Sequence, residues 1–287
     1  FQILASPTGN LTPSTSTFAY TGNNGGGNTT VQSETYDVLQ VNNGSEIYAL
    51  EGTTAGATVT ITAGTLDTGA NALSATGDLT VTGTLQGTGN VTINGNVTGA
   101  GTVTMTGGTF EQIISGANKN FGSSSGTNEW TFSGLKFNNS DGVAARTITP
   151  NAGTGTITIT GTLTLGDSGT QNITFDNETA NDRVFDIDGS ILISTKGVFS
   201  ASSTASFTLA TNLTNNGTFT ANTGTLTIDG SGTSTFDGSG TPAITFNNLT
   251  STTAGKTLAF TEAKTFRING KLTISGASGN QIHIHST

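Results

Sequence analysis

The stretch from Leu79 to Gly107 constrains this chain more than any other, because it repeats. Written in consecutive twelves it reads LTVTGTLQGTGN, VTINGNVTGAGT and VTMTGGTF. Leu79, Val91 and Val103 align, as do Val81, Ile93 and Met105, and then Gly83, Gly95 and Gly107. The period read this way is twelve residues. Within each unit apolar residues alternate with Thr or Asn, which puts Val91 and Ile93 on one face and Thr92 on the other, as a strand does and a helix cannot. Glycine then breaks the alternation where the chain needs a corner. Twelve residues at about 3.3 Å each give a perimeter of about 40 Å, a narrow rung or half of a larger triangular one.

A longer repeat is superposed on the short one. Trp130, Phe132 and Leu135 match Ile244, Phe246 and Leu249 at one constant offset, and TITITGTLTLG from Thr156 answers TFRINGKLTIS from Thr265. A weaker copy opens the chain with STSTFAYTGN from Ser14 and ATVTITAGTL from Ala57. The expected organisation is one continuous β-solenoid over 1–287 in about three cassettes, roughly 1–75 (partial), 76–190 and 191–287 (partial). Neither FQIL at Phe1–Leu4 nor QIHIH at Gln281–His285 looks like a cap, so we expect a window of a longer repetitive protein.

Strands every eight to twelve residues also suit a sandwich, but a sandwich gives each strand its own neighbours, whereas stacked coils repeat at rung length. The expected fold is therefore all-β, a right-handed parallel β-helix with short rungs and Gly/Ser/Asn-rich protruding loops. Those loops are expected at 23–30, 122–128 and 230–241, and 109–120 reads as a loop or an irregular rung. The composition agrees with a thin core: only 9 % of residues are charged and 32 % hydrophobic, with 41 Gly, well below the usual globular share of both classes.

TVTITAGTL from Thr58, NVTINGNVTGAGTVTMTGG from Asn90, GTITITGTLTLG from Gly155, LTNNGTFTANTGTLTIDG from Leu213 and AITFNNLT from Ala243 carry a resemblance. The pattern resembles large bacterial adhesins and autotransporter-passenger-like proteins, particularly β-strand-repeat surface proteins and filamentous-haemagglutinin-like solenoids. That resemblance implies a right-handed parallel β-helix on a cell surface, and it supplies no catalytic motif.

With a net charge of −9 and no basic stretch, the chain is not expected to bind nucleic acid. It has no cysteine, so neither disulfides nor thiolate chemistry is available. No apolar run reaches the length of a membrane span. The expected function is an extracellular structural or adhesive repeat protein, not an enzyme, whose partners are further rungs end to end and host or environmental glycans.

Several residue groups invite chemistry. Asp186 and Asp188, alternating before Gly189, could bind calcium, against the plainer reading of a solvated acidic loop, and no cofactor is otherwise expected. Asp182, Arg183 and Arg146 are the one cluster that would serve a polysaccharide-acting β-helix enzyme. His283 and His285 point to one side of a strand without a third ligand. Threonine runs at 58–62, 102–106 and 156–164 suggest an ice-binding array, though outward Thr is also ordinary on exposed strands. Eleven Asn-x-Ser/Thr triplets, among them Asn90, Asn96, Asn172 and Asn248, are glycosylation opportunities.

Overall fold

The computed structural model describes residues 15–25, 27–179 and 181–287, so the FQIL segment lies outside the described residues. Every strand ladder is parallel, no helix occurs among the described residues, and the chain coils into a β-solenoid of about 12 turns. Each turn visits three faces in order. Leu79–Val81 lies on the first, Thr84–Gly87 on the second and Val91–Ile93 on the third; Val97–Thr98 then returns to the first. Near the start of the solenoid two long strands, Thr35–Leu50 and Thr54–Asp67, each bend around all three faces.

This geometry corrects the twelve-residue rung. Leu79 pairs with Val97, while Val91 pairs with Phe110 and Val103 with Leu85. The aligned residues Leu79, Val91 and Val103 therefore stand on three different faces. The underlying unit is six residues, seen in Leu79, Leu85, Val91, Val97 and Val103. One such unit makes one side and three close a turn, so a twelve is two thirds of a rung. The longer match behaves similarly: Trp130 lies on the second face and Ile244 on the first, Leu135 on the third and Leu249 on the second. What recurs is a strand–corner–strand unit, and it fits any corner.

Rungs lengthen from the turn between Leu79 and Val97 to that between Phe121 and Pro150 and shorten again by the turn between Phe207 and Leu226, and the core changes with them. In the short coils the buried side chains are Leu79, Val81, Leu85, Val91, Ile93 and Val97. From Phe110 to Phe185 the turns are wider, as in the pairing of Phe121 with Pro150, and the interior takes Trp130 and a run of phenylalanines. Close packing requires this, because a wider interior lined with Val and Leu would leave voids. On the first face Phe175, Phe199 and Phe219 are register partners whose rings stack at 6.0 and 6.1 Å with interplanar angles of 10° and 3°.

Two loop expectations also change. The segment 109–120 is a regular part of the coil, with strands Phe110–Ile114 and Lys119–Phe121. Within 230–241 the strand Thr233–Gly238 buries Ser234, Phe236 and Gly238 beneath the apparent Gly/Ser linker. The 122–128 loop does protrude, being exposed from Ser124 onward, and 23–30 leads into the strand Thr29–Val31.

Candidate functional site

Four of the Asn-x-Thr triplets sit at rung corners. The Oδ1 atoms of Asn90, Asn96, Asn212 and Asn248 accept hydrogen bonds from the backbone N–H of Thr109, Asn120, Thr235 and Lys271, each one turn farther on, at 2.8–3.0 Å. A corner leaves a backbone donor outside the ladder, where a neighbouring side chain can supply its acceptor. Asparagine supplies it, and the strand that follows begins with an inward apolar residue and an outward Thr. Asn-Val-Thr and Asn-Leu-Thr are thus corner-plus-strand signatures.

Asp186 occupies the outward position of Phe185–Ile187, and Asp188 follows it, exposed, at the corner. Thr208 on the next rung donates its hydroxyl to Asp186 Oδ1 at 2.6 Å. Asp229 lies close by. Burial raises its carboxyl above the usual range, and the charges of Asp186 and Asp188 push it further the same way. Among the described residues no three metal-ligating side chains gather around one point. A calcium ion would need six to eight oxygen ligands.

The proposed acid–base trio has three separate environments. Arg146 pairs with Asp141, donating from Nε at 2.7 Å and also from Nη2. Arg183 is buried, and its Nη1 donates to the Gly153 carbonyl. Asp182 accepts from the hydroxyls of Ser202 and Thr204 on the following turn. His283 and His285 stand exposed on the last strand, opposite Thr257 and Ala259.

Aromatic groups that might have formed a sugar platform are committed to the fold. Trp130 is fully buried and its indole N–H donates to the Gly101 carbonyl at 3.0 Å. The Gln32 N–H donates to Tyr20, Tyr20 donates to Tyr36, and Tyr36 returns a hydrogen bond to the Gln32 carbonyl. Tyr48 donates to the Gly22 carbonyl at 2.9 Å.

The threonine runs divide among the faces. Thr60 is on the first face beside Thr80, and Thr164 on the third beside Lys136. Two others, Thr104 and Thr158, stand in one outward column on the second face. There Thr104 pairs with Thr131, Thr131 with Thr158 and Thr158 with Asp186. The column continues from Asp186 to Thr208, then Thr227, Thr250 and Thr273. Five of these threonines lie outside the runs visible in the sequence, because the spacing between successive members changes from turn to turn and sets no fixed period.

No strand covers Phe266–Ile268, Leu272–Ile274 or His283–Ser286 among the described residues, and Leu272 and Ile284 are 47 % and 54 % exposed. They rim a cavity of about 210 Å³ floored by Leu249, Leu258, Phe260 and Phe266. No helix among the described residues is long and apolar enough to cross a membrane. No protein-family model, curated protein or solved structure matches the chain.

Proposed function

We propose that this chain is a non-catalytic structural and adhesive segment of an extracellular surface fibre, of the kind found in β-strand-repeat adhesins, and that its rungs are extended end to end. The observation that carries this reading is the stack of about 12 parallel turns, each offering the next the same backbone pairing. The last strands described can pair in the same way with one further parallel strand per face, above the apolar floor around Phe260 and Phe266. Covering Leu272 and Ile284 would stabilise such a junction by about 1–2 kcal/mol each.

The covering rung comes either from the residues that follow in a longer polypeptide or from a second copy. Contact between unlike ends propagates instead of closing on itself, and that is the symmetry of a fibre. Glycans fit as ligands of the charged third face, where Glu111 and Lys136 stand outward in register.

Electron microscopy and sedimentation of the purified chain test the proposal. Rods that lengthen with concentration, and that Leu272→Asp with Ile284→Asp reduces to single units, support it. Compact particles whose size ignores both substitutions overturn it. Release of sugars from a panel of neutral and acidic polysaccharides would contradict the non-catalytic part.

A further inference from the structure

We infer that the outward side of the second face is a surface for ordered water, that is, for ice. Seven of the eight column positions from Thr104 to Thr273 are threonine, and the ladder holds them in parallel register. Parallel strands repeat about every 4.7–4.9 Å, so the column sets one hydroxyl and one methyl at that interval along the axis. Threonine's β-branching leaves few rotamers, which keeps the repeat regular. Among the described residues only Thr208 of this column spends its hydroxyl on a protein partner, Asp186 and more weakly the Phe185 carbonyl. The other six are left for water.

The third face is the internal control. Its equivalent outward column runs through Glu111, Lys136, Thr164, Leu192, Thr214 and Asp237. A general preference for threonine on exposed strands would fill every face alike, yet the third is not filled, and on the first the outward threonines Thr147, Thr174 and Thr218 are interrupted by Val198.

The column also restricts its ligand. It has no pocket, no aromatic platform and no planar amide, the groups that orient a discrete sugar or small molecule. A small ligand would touch one or two rungs and gain nothing from eight. A ligand with its own lattice gains at every rung. Hydroxyls can take the places of lattice waters and methyls can sit between them, so that hydration water already ordered by the surface freezes onto it. Asp186, Asp188 and Asp229 interrupt the array with charge, dividing it into a patch at Thr104, Thr131 and Thr158 and another from Thr208 to Thr273.

The test is partition of the full chain into a slowly growing ice hemisphere, together with ice recrystallisation. The wild type is expected to enter the ice, and Thr131→Tyr with Thr227→Tyr to lower its uptake several-fold while the strand spectrum in circular dichroism is unchanged. Thr214→Tyr on the third face should leave uptake as it was, and Asp186→Thr, which joins the two patches, should raise it. Exclusion of the wild type from ice to the same extent as an inert protein overturns the inference. So does uptake that falls equally with Thr214→Tyr. Self-association lost with the second-face substitutions, without uptake into ice, overturns it too and assigns the column to contact between copies.

Discussion

Gly189 sits directly over Gly161, one turn below, so closely that a methyl group on Gly189 would overlap the Gly161 carbonyl oxygen. Both residues turn the chain from the second face to the third, and their approach lets the corners stack at strand spacing. Gly189→Ala is expected to destabilise the fold by about 1–3 kcal/mol through overpacking. Gly142→Ala, where an added methyl meets nothing within 4 Å, should be neutral. Urea denaturation of the two variants makes the comparison.

Phe199 lies between Phe175 and Phe219 in the stacked column of the first face. Phe199→Ala removes a ring that neighbouring rungs cannot replace, because their positions are fixed by the ladder. The expected loss is about 3–5 kcal/mol. Thermal melting should show it as a lower midpoint.

Asp141 ties one rung to the next. It accepts hydrogen bonds from the backbone N–H groups of Val143 and Ala144 and, on the preceding turn, of Gly116, and it pairs with Arg146. Those backbone donors and the guanidinium lower its pKa to about 2. A depressed carboxylate contributes stability that is fully present above the ordinary value of about 4. That contribution fades as pH falls from there towards the native value. The melting midpoint should therefore drop over this interval, and Asp141→Asn should flatten the drop.

Trp130 is the only tryptophan, so its fluorescence reports one place in the core. Emission from the native protein should be blue-shifted and move to the red in a single transition with the strand signal. Trp130→Phe leaves the Gly101 carbonyl without its indole donor. The expected cost is about 1–2 kcal/mol for the lost hydrogen bond, read by circular dichroism.

The solenoid was legible because alternation and corner glycine are local features, present within a few residues at Val91–Ile93 and Gly95. Rung length was not. Six-residue sides such as those beginning at Leu79 and Leu85 are interchangeable, and a repeat of sides does not say how many close a turn. The column through Thr131 and Thr227 was hidden for a related reason: register depends on corner length, which varies from turn to turn. Asn90 and Asn248 looked like modification triplets because the residue that caps a corner also precedes an apolar–Thr strand.

Unequal coils would also give this protein a mechanical signature. The strands of each turn pair only with those of its two neighbours, so tension applied to the chain ends would peel coils off singly instead of rupturing the whole body. The contour length released at each event would be that of one coil, the stretch from Leu79 to Val97 at the regular end and from Phe121 to Pro150 farther on. At about 3.4 Å per residue those steps run from about 60 to about 100 Å. A force-extension trace would then carry a graded series of increments whose order reports the end from which unravelling began.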